Sequence, residues 1–203
     1  MPTMNRRQLL KAIAAAPMAA AAISWTEADV HAASRAADEA LQTAQRTNRR
    51  YAPKFFTAHE WATVSLMVDL IIPPDEKSGS ATEAAVPEFM DFMMVDQPTR
   101  QSAMRGGLAW IDHECQQRHD KSFVACTDAQ RAAMLDDISW PRKVRPETAA
   151  GVAFFNSFRD LTASGFWTTR MGIDDLQYMG NRSVARWNGC PPEALKKLGV
   201  SYE

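Results

Sequence analysis

Most signatures of a catalytic or nucleic-acid-binding protein are missing from this 203-residue chain. Its charge nearly cancels, with 23 Lys and Arg against 24 Asp and Glu. That leaves no strongly basic face of the kind nucleic acid needs. The one basic cluster beyond the N-terminal region, Arg46 to Arg50, lies in a polar stretch and reads as solvated. No Gly-x-Gly-x-x-Gly follows a strand, and there is no Gly-x-x-x-x-Gly-Lys or Gly-x-Ser-x-Gly. Dinucleotide, P-loop and serine-hydrolase chemistry thus have no foothold. Cysteine is scarce: Cys115, Cys126 and Cys190 are the three present. Their spacing excludes a Cys-x-x-Cys-His haem attachment and a paired Cys-x-x-Cys zinc knuckle. Strand-like alternation never persists beyond a few residues.

Two near-motifs come to little. In "HECQQRH" the metalloprotease pattern needs a second histidine at 117, which is Gln117. His113 and His119 are six apart, about 240° around a helix, and diverge. Cys115 and His119 share a face, but two ligands do not make a metal site. Asp69, Asp75 and Glu76 could be offered as a catalytic carboxylate set. They flank a helix end and a loop, where acids are ordinarily solvated or ion-paired. The 11 Met and 6 Trp residues fit core filling, with some available to an interface.

What is present begins with "NRRQLLKAIAAAPMAAAAISW". Arg6, Arg7 and Lys11 form a positive head, and an alanine-rich stretch follows from Ala12 to Trp25. This layout is that of a secretory signal, and the paired arginines place it in the twin-arginine class. The run is shorter than the about 20 strongly apolar residues of a spanning helix. Ala20-Ala21-Ala22 and Val30-His31-Ala32 both fit a small-x-small cleavage pattern. Export implies an oxidising compartment, where an odd cysteine count leaves at least one thiol over.

Residues 1–33 are expected to be this signal segment, 34–56 a polar N-terminal arm or linker, and 57–203 a single helical domain. Thr57-Ala58-His59-Glu60 and Thr127-Asp128-Ala129-Gln130 are capping boxes. Trp61, Val64, Met67, Val68 and Ile71 follow the first at helical spacing, and Pro73-Pro74 ends that helix. A second helix starts near Pro87. A third, capped by Thr99, carries Met104, Leu108, Ile111 and Cys115. Gly106-Gly107 within it predicts close approach by another element. A short helix follows Thr127 and stops at Trp140-Pro141. Pro146 opens another through Val152, Phe155, Phe158 and Leu161, with Gly165 as a left-handed stop. Beyond it lies a Gly-, Asn- and aromatic-rich segment without periodicity until Pro192 to Leu198. The expected class is all-α: a small irregular helical domain with a long, loop-rich C-terminal segment.

"FFTAHEWATVSLMVDLIIPPDEKSGSATEAAVPEFMDFMM" resembles the opening of the gluconate 2-dehydrogenase subunit 3 family, through Asp69, Ile72, Pro73 and Asp75. "GFWTTRMGIDDLQYMGN", followed by Trp187 and "GCPP", resembles that family's C-terminal signature, through Asp175, Gly180, Asn181, Trp187, Gly189 and Cys190. The departures are a longer polar arm and Trp167 where Phe or Tyr is common. The resemblance implies a non-catalytic small subunit with no cofactor of its own. Its partner would be a large FAD-dependent subunit of the glucose–methanol–choline type, and a cytochrome c subunit carrying haem often completes such assemblies. The place implied is the periplasmic face of the inner membrane, reached through the twin-arginine machinery. The small subunit would support maturation of the large one and carry it out. Trp167, Asp175, Tyr178, Asn181 and Trp187 become the expected partner contacts. Cys190 becomes the odd thiol, expected to bond to the partner, with Cys115 and Cys126 as the internal pair. The rival readings are a stand-alone periplasmic enzyme and a membrane-tethered structural protein that keeps the N-terminal segment as an anchor.

Overall fold

The computed structural model describes residues 26–47, 51–178, 180, 185–186 and 189–202. Arg6, Arg7, Asn181 and Trp187 lie outside the described residues. Among those described there are eight α-helices, three short 3-10 turns and no strand. In chain order the helices are α1 (Glu27–Thr47), α2 (Ala58–Ile71), α3 (Val86–Asp96), α4 (Gln101–His119), α5 (Asp128–Ser139), α6 (Ala149–Trp167), α7 (Arg170–Asp175) and α8 (Pro192–Leu198). None is long and apolar enough to cross a membrane.

Both capping boxes form. The Thr57 hydroxyl accepts from the Glu60 amide at 3.3 Å and the Glu60 carboxylate accepts from the Thr57 amide at 2.8 Å. Thr127 and Gln130 repeat the exchange at 3.3 and 2.9 Å. Two orphan amides are thereby satisfied at each helix start. Thr99, expected as a cap, instead lies inside the 3-10 turn Pro98–Arg100. That turn leads straight into α4, whose start makes no side-chain cap bond. Gly165 does not stop α6. It is helical and buried, and a side chain there would meet Phe89 of α3 at 2.8 Å.

The long helix α6 is the hub, packed by α1 to α5 and by α7. Its Val152, Phe154, Phe155, Phe158, Leu161 and Phe166 are all buried. Where α4 crosses it, two glycines receive two aromatic rings. A Cβ on Gly107 would stand 1.9 Å from the Phe154 ring, and one on Gly151 would stand 2.1 Å from Trp110. The close approach expected at Gly106-Gly107 therefore belongs to Gly107 alone; nothing lies within 4 Å of a Cβ on Gly106.

Of the polar arm expected over 34–56, residues 34–47 are helical and residues 51–56 are tied to the body. The arm's first half continues α1, which also takes in residues 27–33, so the boundary expected at 33 falls inside a helix. Ala33, Ser34 and Ala37 are buried, and α1 packs chiefly on α3. Small residues at the contact let two helix axes come close without large apolar side chains. A count of large apolar residues misses such a face. The segment 51–56 is pinned by Asp91, a fully buried carboxylate on α3. Asp91 accepts from the Tyr51 hydroxyl at 2.8 Å and from the amides of Lys54, Phe55 and Phe56 at 2.8, 2.9 and 3.1 Å. Burial, then the bond to Asp91, pushes the Tyr51 phenol above its usual range. Arg105 closes the same segment, donating to the Phe55 carbonyl at 2.7 Å and to Glu60 at 2.6 Å.

Candidate functional site

The loop after α2 is braced by its own acids. Asp75 accepts from the amides of Lys77 and Ser78 at 2.8 and 2.9 Å, and its own amide donates to the Ser78 carbonyl at 3.0 Å. Those two amides, Lys77 first, hold the exposed Asp75 carboxyl below the usual carboxylate range. Asp69 accepts from the Thr82 amide at 2.7 Å. Ser80 and Glu83 exchange bonds of 2.9 and 3.3 Å, a capping-box pattern on the turn before α3. Ala85 then takes a left-handed conformation, φ 58°, to enter α3. Asp69 and Asp75 thus bond to backbone amides. Glu76 is exposed on the same loop.

The far wall of the site comes from about a hundred residues later. The Thr169 hydroxyl donates to the Phe166 carbonyl at 2.7 Å and accepts from the Gly172 amide at 3.1 Å. The chain turns there from α6 into α7. A side chain at Gly172 would come within 2.2 Å of the Phe166 carbonyl oxygen, so glycine permits the turn. The two walls enclose an open depression of ≈ 700 Å³. Lys77, Ser78 and Gly79 line one side; Arg170, Met171, Asp174, Asp175 and Gln177 line the other. A Cβ on Gly79 would stand 3.2 Å from the Met171 methyl. The Arg170 Nε bonds both Asp174 oxygens, at 3.1 and 2.9 Å. Residues 77–79, just beyond Asp75, and the segment that carries Asp175 therefore line one depression.

Of the expected contact residues, Asp175 lines this depression and Tyr178 is exposed three residues on. Trp167 is half-buried, edge-on to Phe166 at 4.9 Å and packed on the core. None of the described residues beyond α7 is buried. Cys190 is exposed and its amide donates to the Tyr202 hydroxyl at 2.6 Å. Gly189, at φ +90°, lets the backbone pass the Tyr202 ring, which a Cβ would approach to 2.7 Å. Helix α8 buries none of its residues.

Cys115 and Cys126 stand together, both buried free thiols. Burial, then the neighbouring Cys126, pushes the Cys115 thiol up to about 12. The "HECQQRH" face carries ion pairs: Arg118 bonds Glu114 at 3.2 Å and Asp137 at 2.7 Å. Among the described residues no three His, Cys, Asp or Glu gather as a metal site would require. Sequence reasoning missed Asp91. Its signal was one acid inside an otherwise apolar helical run, "FMDFMM".

A family model described as gluconate 2-dehydrogenase subunit 3 matches residues 58–188, which include both walls of the depression. No curated protein and no solved structure matches the chain.

Proposed function

Since the chain belongs to the gluconate 2-dehydrogenase subunit 3 family, whose name places it within a multi-subunit dehydrogenase, we propose that it is the non-catalytic small subunit of that assembly. It binds a large FAD-dependent subunit of the glucose–methanol–choline type, supports its maturation and takes it through the twin-arginine route to the periplasm. Flavin and substrate then belong to the large subunit, and haem to a cytochrome c subunit where one is present. The observation that carries this reading is the convergence on one face. Residues 77–79 and Asp175 line one depression, and Leu176 and Tyr178, next along the chain, are exposed. A braced loop costs little further ordering on association, which favours its use as a binding surface. Cys190, exposed on the adjoining segment, forms the bond to the partner.

The N-terminal segment acts as the shared export signal. Cleavage after Ala22 suits the fold better than cleavage after Ala32. The latter would remove Thr26, whose hydroxyl accepts from the Asp29 amide at 3.2 Å, together with the first turn of α1.

Pull-down of the tagged full-length chain from its native host tests the reading. The expected result is an FAD-containing large subunit in the eluate, joined to Cys190 on a non-reducing gel. Recovery of the chain alone, active by itself on sugars with an artificial electron acceptor, would overturn it in favour of a stand-alone enzyme.

A further inference from the structure

We propose that Cys115 and Cys126 form an intrachain disulfide that staples the C-terminal end of α4 to the turn preceding α5, whatever the partner of the chain. Three observations converge. Both cysteines are buried, at 0 % and 4 % exposure, in one core cluster, and each lies three residues from an end of the Asp112–Phe123 hydrogen bond that ties α4 to the turn before α5. The backbone under each is independently held. Ile111 and Cys115 sit in the core on α4. On the other side, the Phe123 amide donates to Asp112 at 2.9 Å, and Arg131 donates to the carbonyls of Val124 and Cys126 at 3.1 and 2.5 Å. Cys190, by contrast, is exposed on the segment beyond α7. The fold itself thus brings the two cysteine-bearing segments together, each held by its own backbone contacts.

The chemistry is thiol–disulfide exchange with an incoming disulfide, either a small one such as glutathione disulfide or that of a protein thiol oxidoreductase. Cys126 lies between the exposed Ala125 and Thr127; on brief opening of that turn it loses its proton and makes the first attack. It forms a mixed disulfide and expels one thiol. Cys115 Sγ, losing its proton, then attacks the Cys126 sulfur and expels the second thiol. Two electrons and two protons pass to the oxidant, which leaves as two thiols. Burial keeps Cys115 protonated in the closed fold, so the second step waits on brief opening of residues 120–126.

The test is to treat reduced full-length chain with glutathione disulfide, alkylate it under denaturing conditions and digest it with trypsin. Arg118 and Lys121 lie between the two cysteines, so their peptides separate unless the sulfurs are joined. The expected product is one species joining the Cys115 and Cys126 peptides. It should accompany a Tm rise on the order of 10 °C that is absent in the Cys115→Ala/Cys126→Ala double variant. The Cys190→Ala variant should give the same joined peptide. Prolonged oxidation that yields separate glutathione adducts or alkylated thiols at 115 and 126, or a link from either to Cys190, would overturn the proposal. Of these outcomes only a link to Cys190 touches the proposed bond to the partner; the subunit role itself is tested separately by the pull-down.

Discussion

The helical body and the chain beyond α7 treat their apolar residues in opposite ways. In α6 the large apolar side chains face inward, and Phe158 and Leu161 are each 1 % exposed. After Asp175, Leu176 and Tyr178 are each 57 % exposed, Leu198 71 %, Val200 56 % and Tyr202 60 %. Apolar area left in water contributes nothing to folding this chain, whereas fully burying one such side chain is worth about 1.5–3 kcal/mol. The body therefore holds itself together. The described part of the C-terminal segment leaves Leu176, Tyr178, Leu198, Val200 and Tyr202 turned outward.

The largest test of that contrast is in the body. Asp91→Ala removes the acceptor for the Tyr51 hydroxyl and three amides, two of them buried. It should lower stability by about 3 kcal/mol or more in urea denaturation. A loss no greater than a surface substitution gives would mean that segment 51–56 is not part of the body.

The adjacent glycines of α4 give a smaller effect of opposite signs. Gly107→Ala places a methyl into the Phe154 ring and should destabilise by about 1–3 kcal/mol. Gly106→Ala meets open space and should stabilise by up to about 1 kcal/mol through helix propensity. Thermal melts of the two variants read the difference directly.

On the other side of the comparison, a Leu198→Ser/Val200→Ser double variant should keep its melting free energy within about 0.5 kcal/mol of the parent. The same variant should retain the large subunit at least tenfold less well in pull-downs, about 1.4 kcal/mol. Loss of stability instead would assign these residues to the body.

The smallest expected effect is in pH dependence. Glu88, on the first turn of α3, has a buried Oε2 without a hydrogen-bond partner among the described residues. Burial, and less strongly the charge of Asp91, raises its carboxyl above the usual value. A raised acid binds more protons folded than unfolded, so stability falls as pH rises from the ordinary glutamate value through the raised one. Glu88→Gln should flatten that slope without changing the C-terminal segment's exposure. An unchanged slope would show that Glu88 does not titrate in the folded core.

Much of the local architecture was determined by the sequence alone. Thr57 with Glu60, Thr127 with Gln130, and the Pro73-Pro74 stop depend on residues within one helical turn, and each took the expected form. The periodic apolar residues of α2, α4 and α6 likewise depend only on the helix repeat. Tertiary structure decided what local periodicity does not encode, namely which faces meet. It docked the alanine face of α1 on α3 and spent Asp91 on amides some 35 residues away. It put Lys77 across from Asp175 and set Cys126 beside Cys115. The physical reason is that a cap or a proline stop closes within a turn. A juxtaposition across a hundred residues exists only once the whole core has chosen its packing.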